Sequence, residues 1–431
     1  MMKLSSPCMT IKAGRLAVSV LALMASAAYA EAKSLDGVTL TIASMNDGFA
    51  NVLQALAPAF KEETGADVKV EIMDYGTLLT KTTADFIGDT KGYDLVTMDI
   101  VWAGAYAENK YTVDLTDRVK RDAAELDLDD IYPVILESLG QYDGKYVAYP
   151  LAAYANVLAY RKDLLEAAGL KPPANMEELV QDALKLNDPS KKQYGFVANG
   201  QKGPAVAQDW MQYNNQLGGS ILNKDGQPAL NSEANIKSLE VYKQLFTEAA
   251  PPGAIEYDWG GREESFRQGL AAFMQTWSVG ATSYSDPKVS NVVGKVGISV
   301  APVATGMTPQ YGVGGWGLSI NADIDASKQD AAWAFIKWIS SKKVHKEFNM
   351  LGAGGFIRKS ELDDPDLNAK FDFLPVLKET YEHGNGEFRP RIPQYPEIQD
   401  LLGTAVNSAL SGSVTPKDAL DKAQAAAEKL F

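Results

Sequence analysis

The chain has little sulfur and little imidazole. One cysteine, Cys8, and two histidines, His345 and His383, serve 431 residues. Beyond residue 30 there is no cysteine, which excludes a disulfide framework, a thiol nucleophile and a Cys-based metal site from that part of the chain. The two histidines stand outside any metal-ligand spacing, so neither a zinc site nor a cofactor is expected. No segment after the first thirty residues offers about 18 uninterrupted apolar residues, so no membrane-spanning helix is expected. Positive charge is also scarce. Lys and Arg number 41 against 55 Asp and Glu, a formal net charge of -14, which repels nucleic acid and anionic lipid at long range. No G-x-x-x-x-G-K-[ST] run occurs, which excludes a P-loop nucleotide hydrolase. Repeats, heptads and low-complexity tracts are missing as well.

What is present is ordinary for a globular protein: 46% hydrophobic and 22% charged residues. The length is too great for one compact core and predicts two domains. Lys3, Lys12 and Arg15 precede the apolar run Leu16 to Ala25, and Ala28-Tyr29-Ala30 supplies small residues around a cleavage point. Residues 1–30 thus read as a secretory signal peptide, the alternatives being a signal anchor or an ordinary N-terminal helix. Cys8 lies upstream of the apolar run and is not placed to be lipidated. Removing these thirty residues, with three basic and no acidic side chains, takes the charge from -14 to -17.

Strand and helix patterns then alternate. Val38 to Ala43 reads as a strand ending at Ser44-Met45-Asn46-Asp47-Gly48. Val52, Leu53, Leu56 and Phe60 recur at helical spacing, stopped by Gly65. Val68 to Ile72 is a second strand, Leu78 to Ile87 a second helix, and Tyr93 to Met98 a third strand. This alternation predicts an α/β fold with a parallel sheet, in which ligands bind outside the carboxyl ends of the strands. That rule points to the loops Ser44 to Gly48 and Asp99 to Gly104. Further on, Met176 to Leu186, Asn235 to Ala249, Glu397 to Leu410 and Pro416 to Leu430 read as helices, the last capped by Thr415 with Pro416 at its first position, and Arg262 to Leu270 is amphipathic. Gly312-Val313-Gly314-Gly315-Trp316-Gly317 fits G-x-G-x-x-G, but Leu318-Ser319-Ile320 continues it as a strand where a dinucleotide fold needs a helix. Those glycines are expected to permit hinge rotation and close backbone approach.

Several stretches together resemble a known family. They are Tyr142 to Leu151 followed by Leu158 to Leu165, then Ala168 to Pro173 with Met176 to Leu179. Phe266 to Met274, Gly315 to Asn321, Ala331 to Ile339 and Gly386 to Tyr395 follow. In order and spacing these are similar to the family 1 extracellular solute-binding proteins, the group holding maltose- and trehalose-binding members. The resemblance implies a two-lobed periplasmic binding protein fold with three interdomain crossings. Lobe one would comprise residues 36–152 and 316–362, lobe two residues 153–313 and 368–431. It further implies a non-enzymatic, periplasmic component of an ABC importer that closes on a sugar and delivers it to the permease's membrane subunits. Such a protein is expected to act as a monomer without entering the membrane or binding nucleic acid. A polyol or other small solute is the alternative ligand, and a secreted glycoside hydrolase a more distant reading.

Sugars offer hydroxyls, which need fixed donors and acceptors, and C–H faces, which pack on aromatic planes. Asn46 and Asp47 lie past the first strand and Asp99 past the third, where this architecture binds ligands, although Asn-Asp-Gly is also good turn chemistry. The resemblance adds Trp102 beside Asp99, with core packing as its equal alternative, Tyr154 and Asn156 after the first crossing, Trp277 as a stacking aromatic, and Trp316 at the second crossing. Maltose-binding members carry an acidic residue at the position of Tyr154, which argues against maltose itself. Arg358, with its planar fork, completes the expected ligand-binding set. Trp210, Tyr213 and Asn214 are further second-lobe candidates. Trp333 and Trp338, on a helical face, read as structural.

Overall fold

The computed structural model describes residues 35–431, so the expected signal peptide and Cys8 lie outside the described residues. The first half-sheet follows the sequence pattern closely. β1 (Thr39–Met45) pairs in parallel with β2 (Asp67–Met73) and with β3 (Leu95–Asp99). Between β1 and β2 runs α1 (Gly48–Thr64), which buries Phe49, Val52, Leu53, Leu56 and Phe60 at helical spacing. Gly65 ends it in the left-handed region at φ 91° and donates its N–H to the Lys61 carbonyl, the conformation for which glycine has no Cβ penalty. α2 (Tyr75–Gly88) connects β2 to β3.

Two long strands join this unit to the rest. β4 (Tyr149–Arg161) is buried at all but one of its positions, as expected of a strand covered on both faces. Its first half pairs antiparallel with β8 (Tyr311–Ile320), which in turn pairs antiparallel with β3. Its second half lies between β6 (Ala271–Trp277) and β7 (Val296–Val300). β5 (Tyr194–Val197) completes the path, giving the order β2-β1-β3-β8-β4-β6-β5. The G-x-G-x-x-G run therefore lies inside β8, a strand, as its sequence context requires. Residues 152/153 and 313/316, where crossings between lobes were expected, both fall within these paired strands.

The remaining helices follow their patterns, with shifts at the ends. α3 (Pro204–Gln216) packs against α9 (Tyr395–Leu410), and α9 against α10 (Pro416–Ala427). Thr415 caps α10 by accepting the Asp418 N–H at 3.1 Å. α5 (Ala326–Ser340) packs on β8 and β4 and buries Trp333, whose Nε1 donates to Asp122 at 2.6 Å. α6 (Lys342–Met350), α7 (Lys359–Leu362) and α8 (Leu374–Glu382) follow. α4 (Trp259–Arg267) starts three residues before the sequence pattern suggests, capped by the Asp258 side chain on the Gly261 N–H. That earlier start carries Trp259 to the place described next.

Candidate functional site

A cavity of about 650 Å³ lies between the carboxyl ends of β1 and β3 on one side and β6 with α4 on the other. On the first wall, Asp47 leaves β1 with extended backbone and caps α1, one carboxylate oxygen accepting the Gly48 N–H at 2.6 Å. The other oxygen accepts the Tyr154 hydroxyl from β4 at 3.0 Å. Burial between the walls pushes the Asp47 carboxyl above its ordinary range. The hydrogen bonds from Gly48 and Tyr154 pull the other way without cancelling it. Asp99 ends β3, accepts the Tyr75 hydroxyl at 3.0 Å, and faces both terminal nitrogens of Arg389 at 3.4 Å. Burial opposes the charge of Arg389, but Asp99, with the Tyr395 and Tyr75 hydroxyls, more than offsets this and its pKa rises. Tyr75 and Tyr154 are driven well above the usual phenol range, first by burial and then by the neighbouring carboxylate. Both therefore stay protonated and serve as donors.

The second wall is built from β6 and α4. Trp277 ends β6, and the Arg389 guanidinium lies 5.3 Å from the ring centroid, within cation–π range. Trp259 opens α4 and donates its Nε1–H to Gln208 Oε1 at 2.6 Å. Arg262 pairs with the fully buried Asp209 at 2.6 Å and with Glu263 at 3.3 Å. Glu263 also accepts the hydroxyls of Thr276 and, at 2.8 Å, Tyr284. Arg267 pairs with Glu264 at 2.8 Å. Every guanidinium on the cavity wall is thus already engaged by a carboxylate. Asp47 alone has a helix N-terminus and a phenol as partners rather than a cation. The site can offer neutral donors and shared acceptors at low cost, but has no free cation to neutralise an anionic guest.

Of the sequence candidates, Asn46, Asp47, Asp99, Tyr154, Trp277 and Trp316 line this cavity. Three do not. Trp102 is 1% exposed and packs behind the wall, its ring 5.1 Å from Tyr75, 5.8 Å from Trp316 and 6.0 Å from Tyr106. It supports the lining aromatics from the core. Asn156 is fully buried, in register with Trp277 across the β4–β6 pair and beneath the cavity surface. Arg358 is the clearest correction. It is 1% exposed, and its guanidinium is spent on the carbonyls of Ser340 (2.9 Å) and Leu126 (3.1 Å) and on Asp130 (3.3 Å), tying the end of α5 to a neighbouring segment. Trp210 and Tyr213 are buried in the core on α3, Trp210 donating to Ser238 at 3.0 Å. Asn214 borders a separate depression with Asn215, Ser220 and Phe388.

Sequence reasoning missed Tyr75, Gln208, Trp259, Arg262, Glu263 and Arg389. Arg389 sat in a segment whose resemblance was noted, Gly386 to Tyr395, and its position there was the available signal. Tyr75 and Trp259 each follow an aspartate that caps a helix, a pattern visible in the sequence. Among the described residues no group of three His, Cys, Asp or Glu side chains is arranged to hold a metal. His345 is occupied by Glu361 at 2.6 Å and the Leu151 carbonyl at 2.9 Å.

Comparison with known proteins gives a consistent picture. The profile of the family described as bacterial extracellular solute-binding protein matches residues 44–346. An ABC transporter solute-binding protein of Agrobacterium radiobacter K84, solved in complex with ribitol, is 76% identical, with 93% of this chain and 100% of that one covered at a TM-score of 0.90. A second, from Agrobacterium vitis S4 with bound D-mannitol, is 27% identical over 91% of this chain and 98% of that one, at a TM-score of 0.80. A probable amino-acid ABC transporter periplasmic-binding protein of Sinorhizobium fredii is 26% identical over 86% of this chain and 84% of its own length.

Proposed function

The chain belongs to the bacterial extracellular solute-binding proteins, ABC-transporter binding components that are not enzymes, and from that premise we propose that its cleft takes a short, neutral polyol. The observation that carries this reading is the ribitol complex of the protein 76% identical to it. The mannitol complex of the more distant neighbour agrees with it. The expectation of a sugar yields to the polyol alternative on these grounds. The chemistry of the wall supports the change. A linear polyol needs many donors and acceptors and no net charge, which suits Asp47, Asp99 and Glu263 beside guanidiniums that are already paired. An amino acid, suggested by the Sinorhizobium relative, would need a free cation for its carboxylate.

On this reading residues 36–152 with 316–362, and 153–313 with 368–431, act as two lobes that close by bending within β4 and β8. Asn46, Asp47, Asp99, Tyr154, Trp277 and Trp316 contact the ligand, joined by Arg389 and Glu263. The closed form then docks on the permease from the periplasm, after a signal peptide has directed export. Isothermal calorimetry with ribitol, D-mannitol, ring-closed pentoses and hexoses, and amino acids tests the ligand. Ribitol or mannitol is expected to bind with the highest affinity. Binding of a ring sugar or an amino acid with no heat from either polyol would reject the reading.

A further inference from the structure

Two helices on opposite walls of the cleft begin with the same three-residue device. α2 opens with Asp74-Tyr75-Gly76 and α4 with Asp258-Trp259-Gly260. In each, the aspartate is the N-cap and accepts a backbone N–H three residues on, from Thr77 at 3.0 Å and from Gly261 at 2.9 Å. The aromatic occupies the first helical position in both. The caps fix the direction in which each helix starts, and the two rings meet across the cavity with centroids 5.7 Å apart at 45°.

Each ring is also tethered at its polar end to a cavity residue, Tyr75 to Asp99 at 3.0 Å and Trp259 to Gln208 at 2.6 Å. Both rings are only partly buried, and Gly76 and Gly260 beside them are exposed. Asp99 and Trp277 are 5% and 8% exposed, so the aromatic pair stands at the rim and those two residues deeper. Tyr75 follows β2, at one end of the sheet, and Trp259 precedes β6, near the other. The contact therefore bridges the two walls, with Tyr75 backed on its own side by Trp102 at 5.1 Å.

We propose that Tyr75 and Trp259 are positioning residues that latch the closed cleft and set the rate at which ligand leaves. The inference rests on the reading that the lobes close around a polyol. Because the contact forms after the ligand has entered, its loss acts on dissociation rather than on encounter. An aromatic pair of this kind changes a rate by about three- to tenfold.

Stopped-flow measurement of ribitol release tests it. Tyr75→Ala and Trp259→Ala are each expected to speed release, with association little changed. The double variant should release no faster than the quicker single one, because either truncation alone removes the contact. Tyr75→Phe and Trp259→Phe keep a ring at the rim and should retain slow release. Melting of the ligand-free protein should show no coupling between the two positions. Additive effects on release, or the same coupling in ligand-free melts, would overturn the latch. A second arm reads the rim contact itself, with and without ribitol. Tyr75→Cys with Trp259→Cys, in a chain carrying Cys8→Ser, is treated with a short bis-maleimide. An intramolecular cross-link is expected, and faster with ribitol. Failure to cross-link in either condition overturns the latch. Cross-linking that ribitol does not accelerate counts against the polyol reading while supporting the rim contact.

Discussion

Asp47 does two jobs with one carboxylate: it caps α1 and accepts the Tyr154 hydroxyl at the cleft wall. Its pKa is raised by burial, so the sign of its pH effects follows directly. Ionisation of Asp47 costs the fold stability in full above its folded pKa; the cost shrinks as pH falls below that pKa and is gone below the ordinary value of 3.8. Ligand binding runs the other way, because hydroxyl donors prefer the ionised acceptor. Polyol affinity is therefore expected to decline as pH is lowered, starting above 3.8, the ordinary aspartate value. Asp47→Asn keeps the helix cap but removes the charge. It should weaken binding by about tenfold or more, flatten the acid limb of the affinity profile, and leave melting of the ligand-free protein unchanged or higher. Calorimetry across pH with paired melts measures all three.

Arg358 makes the opposite case at the same scale. Its side chain was legible as a hydrogen-bonding fork but not as a buried one, because burial at this position comes from α5 and from residues near 126 and 130 that are remote in sequence. Arg358→Ala is expected to destabilise the fold by about 2 kcal/mol or more, since it leaves the buried Ser340 and Leu126 carbonyls without their donor, while Asp130 keeps Ser360 and Lys342. Polyol affinity measured below the melting transition should be unchanged. A variant that lost affinity while keeping its melting temperature would return Arg358 to the cleft.

Among the elements, β8 shows what local pattern can and cannot say. Its glycines were readable as places of close approach. What approaches them was not, because it comes from other strands and from the C-terminal segment. At Gly315, φ is +133° and a Cβ would collide with the Ala152 carbonyl of β4. At Gly314 the backbone is ordinary, but a Cβ would stand 2.7 Å from both the Trp277 ring and the Arg389 guanidinium. The two substitutions should therefore separate. Gly315→Ala strains the strand and lowers the melting temperature. Gly314→Ala presses on two cavity residues and lowers polyol affinity with a smaller loss of stability. Calorimetry and thermal denaturation of the pair check this, and equal effects on both readouts would contradict the assignment of Gly314 to the seat of Trp277. Helices with a strong apolar stripe and a clear cap, such as α1 and α10, were legible almost to their ends. α4 was not, since its first turn is Trp-Gly-Gly, which carries no apolar period.

For the molecule as a whole, the α/β class and the placement of ligand loops at strand ends were legible, because strand-helix alternation and the carboxyl-end rule act locally. Of the nine expected residues six line the cavity: Asn46, Asp47 and Asp99, which that rule pointed to, and Tyr154, Trp277 and Trp316, which the family resemblance supplied. Most of the opposite wall was not legible, because α4 and the segment around Arg389 reach the cleft only through tertiary packing. The same scale carries a test of ligand charge. The chain has a formal net charge of -14, and an ionic ligand entering such a field gains or loses affinity as salt screens it. A neutral polyol has no such term, and each guanidinium that lines the cavity is paired with a carboxylate. The dissociation constant for ribitol is therefore expected to stay within about twofold as ionic strength rises from about 0.05 M to 0.5 M, a range over which the Debye length shrinks severalfold. A strong salt dependence in the same titration would mean that the occupant carries charge, and that one of these pairs opens to receive it.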